Sequence, residues 1–119
     1  PVQHAVNAAL TGDPAKRVDG VAWAADKLEK ANSWLEGEWA RRTWAAGDGF
    51  TMADCAAAPA LFYADWTHPI AASYPLLRAY RARLLARPSF AQAVEAGRPY
   101  RHYSPLGAPD RDGQDRPPS

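Results

Sequence analysis

The residues able to do chemistry are few, and no complete site can be assembled from their spacing. Cys55 is the one thiol, fourth in the apolar stretch "MADCAAAPALFYADW" that runs from Met52 to Trp66. A helix dipole can activate a thiol in its first turn, but the alanines around Cys55 point to an inert, small core residue. His4, His68 and His102 have no metal-ligand spacing and no second cysteine to support them, so no metal site is expected. His68, just past a helix end, fits a contact with the last carbonyls. Tyr63 and Trp66, with Tyr100 and Tyr103 further on, have the character of an apolar pocket lining, although core packing is the plainer account of all four. Trp44 beside Arg41 and Arg42 suggests a nucleic-acid contact, but the charge balance favours a solvated surface. There is no nucleophile elbow and no phosphate-binding glycine loop.

One pair has a clear physical task. Thr51 and Asp54 are three residues apart at the head of the apolar stretch, the spacing of a capping box with Asp in place of the usual Glu or Gln. The Thr51 hydroxyl is expected to accept from the Asp54 amide, and the Asp54 carboxylate from the Thr51 amide. Phe50 precedes the cap as a hydrophobic staple does, and Gly47 and Gly49 let the chain turn into it.

The elements that hold these residues have helical periodicity throughout. Pro1 to Leu10 reads as the end of a helix, closed by Thr11-Gly12-Asp13-Pro14. Asp13 then caps a long helix with Pro14 at its first position. In that helix Val18, Val21, Ala25, Leu28, Leu35 and Trp39 fall within a sector of about 80°, one buried stripe that also takes in Asn32. Trp23 and Trp34 share a face nearly opposite it, which fits either a second packed neighbour or an interface. The helix from Met52 is apolar on every side and is expected to be buried, with Pro59 removing one backbone bond. A third helix runs from Pro75 to Arg87, with Leu77, Tyr80 and Leu84 inward and Arg78, Arg81 and Arg83 turned away. Ser89 and Gln92 form a second capping box for a short helix that pairs Phe90 with Val94 and stops at Gly97. The expected architecture is an all-α helical bundle over 1–97. A Pro-rich extension follows over 98–119, packed and extended at first and disordered beyond Gly107.

Composition sets the outer limits. The 119 residues fit one domain with a modest core, and 47% hydrophobic with 23% charged residues is a globular balance. Fourteen basic residues against 13 acidic give a net charge of +1, so neither nucleic acid nor a membrane surface is an expected partner. No secretory leader is recognisable, no run of about 18 apolar residues is present, and a single cysteine fits a reducing compartment. A cytoplasmic location is the expectation.

The order of these features resembles the C-terminal domain of the cytosolic glutathione S-transferase family. The resemblance is carried by "WAAGDGFTMADCAAAPAL" and "YPLLRAYRARLLARPSFAQAV". The family's Gly-Asp-x-Phe-Thr-x-Ala-Asp segment corresponds to Gly47 to Asp54. Its Tyr-Pro helix start corresponds to Tyr74-Pro75, and its Arg-Pro-Ser-Phe to Arg87 through Phe90. The likeness covers roughly residues 13 to 97. It implies a parent protein that conjugates glutathione to apolar electrophilic small molecules, as in detoxification, and that forms a homodimer. Glutathione is the co-substrate there, bound mainly by an N-terminal thioredoxin-like domain that also carries the catalytic Tyr, Ser or Cys. No such βαβ pattern lies within this chain, so it is expected to be a fragment that holds no catalytic residue and is inactive alone. By the same resemblance, the first helix, the central helix and the tail wall the electrophile pocket, through His4, Tyr63, Tyr100 and Tyr103. Glutathione-dependent isomerases, reductases and dehalogenases belong to the same family. A non-catalytic interaction module, as in translation factors and tRNA synthetases, is the rival; it would expose Trp23 and Trp34 for assembly. A family member without any ligand is the third reading.

Overall fold

A computed structural model describes residues 1–110. Five α-helices follow one another: α1 Val2–Leu10, α2 Pro14–Trp39, α3 Met52–Thr67, α4 Pro75–Ala86 and α5 Pro88–Gly97. A 3-10 helix, Arg98–Tyr103, continues directly from α5. No strand occurs among the described residues, and one isolated bridge, Trp44 to Gly47, closes the turn that leads into α3. The disorder expected past Gly107 concerns mainly residues 111–119, which lie outside the described residues.

Local chemistry sets the helix starts. Asp13 accepts from the amides of Ala15 and Lys16 at 3.0 and 3.4 Å, with Pro14 at the first position of α2. Gly12, at φ 74°, supplies the left-handed residue that lets α1 turn back onto α2. The two helices touch closely: a Cβ on Gly20 would collide with the Ala8 methyl. The start of α4 is capped from elsewhere. It has no side-chain cap of its own, and Glu36 of α2 takes the Leu76 and Leu77 amides at 2.9 and 2.7 Å.

The core joins α2, α3 and α4 through Trp39, Leu61, Leu77, Tyr80 and Leu84, with Ile70 from the connecting loop. Leu77, Tyr80 and Leu84 are inward, as their spacing predicts. Arg81 departs from expectation and is buried rather than turned away. It lies 3.5 Å from the buried Asp65 carboxylate of α3 and beside the Phe62 ring. A buried guanidinium needs such a partner, and Asp65 also accepts the Ile70 amide at 3.0 Å.

Other expectations are corrected. Val18 is 67% exposed, not part of the buried stripe; α1 packs against Gly20, two positions on and so nearly opposite around the helix. The helix α3 is buried on one side only. Asp54, Ala58, Leu61, Phe62 and Asp65 face inward, whereas Met52 is 87% exposed and Tyr63 49%. Its apolar residues on every side do not imply a neighbour on every side. Cys55 belongs to the open side and is exposed rather than packed in the core. The short helix starts at Pro88, with no side-chain cap, so Ser89 sits inside it rather than capping it. The α-helix ends at Gly97 as expected, though without a left-handed residue there (φ −80°), and residues 98–103 form a 3-10 helix instead of an extended segment.

Candidate functional site

The third residue of α3 is a junction. Asp54 Oδ2 accepts from the Thr51 amide at 3.0 Å, completing a capping box in which Thr51 Oγ1 accepts from the first-turn amides, that of Ala53 at 3.2 Å. Asp54 Oδ1 accepts from the Ala45 amide at 2.7 Å and from the Tyr80 hydroxyl at 2.5 Å. Burial alone would raise the carboxyl pKa. The Tyr80 hydroxyl, the Ala45 and Thr51 amides and the Arg87 charge outweigh it and hold Asp54 below its ordinary value. Burial, and then the bond to Asp54, push the Tyr80 phenol well up. A carboxylate committed to three donors is a structural tie; no acid or base is left for a substrate.

Around this tie the guanidiniums of Arg83 and Arg87 lie against aromatic faces. Arg87 is 3.4 Å from the Phe50 ring centroid, and Arg83 is 5.9 Å from that of Trp44 while donating to the Thr43 carbonyl at 2.8 Å. Trp44 is therefore part of the packing, not an exposed base-stacking platform.

Of the pocket residues expected from the sequence, Tyr63 and Trp66 meet at one cleft, and the others lie apart from it. Tyr63 borders a groove of about 510 Å³ shared by α1 and α3, with Val2, Gln3, Leu28 and Pro59. His4 lies in a separate groove of about 440 Å³ between α1 and α2, its ring 4.3 Å from that of Trp23. Tyr100 and Tyr103 stand exposed on the 3-10 helix. Cys55 lines a third cleft, with Phe50, Arg87 and Phe90. Trp23 and Trp34 are 45% and 65% exposed on α2.

Two arrangements escape a reading of the sequence. Phe62, Tyr63, Trp66, Phe90, Val94 and Arg101 enclose a cleft of about 230 Å³ between α3 and α5. The signal was there in two i, i+4 pairs, Phe62 with Trp66 and Phe90 with Val94, but nothing local sets them face to face. The second is a polar clasp at the far end of α3. Glu29 Oε1 accepts from the Tyr74 hydroxyl at 2.5 Å, and Oε2 lies 2.8 Å from His68 Nε2. The Tyr74 bond, then His68, lower the Glu29 pKa, and the same bond raises that of Tyr74. The His68 side chain thus meets a carboxylate of α2, while its backbone amide donates to the Ala64 carbonyl of its own helix at 2.9 Å. Among the described residues no three His, Cys, Asp or Glu side chains gather to hold a metal ion. No described helix is long and apolar enough to cross a membrane.

A family model for the glutathione S-transferase C-terminal domain matches residues 5–83. No curated protein and no solved structure gives a match.

Proposed function

Because the chain belongs to the glutathione S-transferase C-terminal domain family, we propose that it is the helical half of a glutathione transferase. In this reading it walls the electrophile site and contributes to a dimer contact. The observation that carries the reading is the open, apolar side of α3. Met52, Pro59 and Tyr63 stand toward solvent, and the groove beside Tyr63 continues onto α1. A wall of this kind holds an apolar electrophile, excludes water and fixes its angle of approach. The thiol of glutathione, held and ionised by a second domain, attacks the electrophilic carbon. The S–C bond forms as the leaving group departs with its electron pair. The side chains of this chain orient and desolvate the electrophile, and none exchanges a proton with it.

The test is direct. The 119-residue chain with glutathione and 1-chloro-2,4-dinitrobenzene should give no product above the uncatalysed rate. The parent protein should turn over, and Tyr63→Asp in it should raise KM for the electrophile several-fold with little change in KM for glutathione. Turnover by the chain alone, or a parent protein inert toward every electrophile tried, would overturn the reading. An inert parent would favour an interaction module, for which the exposure of Trp23 and Trp34 is the supporting observation.

A further inference from the structure

The turn that leads into α3 contains the pair Asp48-Gly49, both exposed and outside any helix. Among the described residues the Asp48 carboxylate has no hydrogen bond or ion pair, and the Gly49 amide has no acceptor. A Cβ on Gly49 would meet nothing within 4 Å, so no packing holds this link in one shape. Asp19-Gly20 is the same pair in the opposite circumstance. It lies within α2, where each amide is directed to the carbonyl four residues back, and Gly20 is buried against Ala8. On either side of Asp48-Gly49 the chain is held. Gly47 and Trp44 exchange backbone bonds at 2.9 and 3.0 Å, and the Phe50 ring centroid lies 3.4 Å from the Arg87 guanidinium.

We propose that Asp48-Gly49 is a site of spontaneous isomerisation in the folded chain, at which Asp48 becomes isoaspartate. The Gly49 nitrogen attacks the carboxyl carbon of the Asp48 side chain. An N–C bond forms, the carboxyl hydroxyl leaves as water with the amide proton, and a five-membered imide closes. Glycine favours this step because no side chain crowds its nitrogen. Water then adds to the main-chain carbonyl of the imide and breaks its bond to nitrogen, so the chain now runs through the former side chain. One water is lost and one gained, and nothing is oxidised or reduced. The product has an extra methylene in its backbone between two held points, Gly47 and Phe50, and it disturbs the cap that Thr51 and Asp54 close on α3. The inference does not rest on the transferase reading, since it uses neither glutathione nor the groove beside Tyr63.

Peptide mapping of the full chain, stored for weeks at neutral pH, tests it. Trypsin places Asp48 in peptide 43–78 and Asp19 in 18–27. The pair Asp112-Gly113, outside the described residues, falls in 112–119. Isoaspartate is read by enzymatic methylation of each peptide and located by fragmentation. Peptide 43–78 should gain it at Asp48 several-fold faster than 18–27 gains it at Asp19, and the difference should vanish when the chain is stored in urea. Gly49→Ala, which meets no neighbour, should slow the gain at Asp48 several-fold. Chain aged to isoaspartate at Asp48 should unfold at a lower urea concentration than fresh chain, whereas stored Gly49→Ala should keep its midpoint. No isoaspartate at Asp48, equal gain at Asp19 in the folded chain, a difference that persists in urea, an undiminished rate in Gly49→Ala, or an unchanged midpoint after ageing would each overturn the proposal.

Discussion

Asp54 accepts from three donors on separate segments of the chain, and its loss would leave the Ala45 amide, the Thr51 amide and the Tyr80 hydroxyl together without a partner. Orphaned buried donors cost far more than a hydrogen bond contributes. Asp54→Ala should therefore destabilise the fold by about 3 kcal/mol or more, against about 1 kcal/mol for Thr51→Ala, which loses a cap alone. The double variant should lose less than the sum, because the two residues share one motif. Urea denaturation of the four proteins decides it; strictly additive losses, or equal losses for the two single variants, would contradict the geometry. The pH dependence carries a sign as well. Because the folded carboxyl lies below its ordinary value, its contribution is complete above the unfolded pKa, about 4. It fades as the pH falls through the lower folded value. Asp54→Asn should flatten that acid limb of the stability curve.

At the scale of elements, Gly20 fixes the distance between α1 and α2. A methyl there would enter the space of the Ala8 side chain, so Gly20→Ala should cost about 1–3 kcal/mol through forced separation. The gain in helix propensity, about 1 kcal/mol, offsets part of that. Adding Ala8→Gly should restore the lost contact distance, and thermal unfolding of the single and double variants will reveal whether it does. Nothing in the residues around Gly20 announces this role, because the close approach depends on a helix that precedes it. The same division runs through the fold. Asp13-Pro14 and Thr51-Asp54 were legible because each satisfies amides two or three residues away. The inward set Leu77, Tyr80 and Leu84 was legible because periodicity alone selects a face. The open side of α3 was not, since a residue's apolarity says nothing of whether a neighbour arrives to cover it. Glu36 and Glu29 also escaped notice, because the amides and the side chains that they bind belong to a part of the chain about 40 residues further on. Of the pocket residues, Tyr63 borders a groove shared with α1. His4 lies in another, and Tyr100 and Tyr103 are carried away by a 3-10 helix that their Pro-rich surroundings did not suggest.

For the whole molecule the notable quantity is apolar surface left open. Trp23 and Trp34 lie on one side of α2, and two indoles can bury on the order of 400 Å² between them. The chain is expected to self-associate through this side, and Trp23→Ser with Trp34→Ser should shift it toward monomer without loss of helicity. Trp34 should contribute the larger share, since Trp23 already stacks on His4 and lies under Lys27. Sedimentation at several concentrations, with circular dichroism, tests this; a double variant that unfolds would instead make the pair part of the core. The Asp54 junction, finally, has a consequence in time. Its partners lie three, nine and 26 residues away, and the entropy of closing a loop grows with its length. The cap can close while α3 is still winding, but the bond to Tyr80 waits until α4 has docked. If one carboxylate sets that order of events, Thr51→Ala should slow folding and Tyr80→Phe should chiefly speed unfolding, which stopped-flow kinetics of the two variants would check.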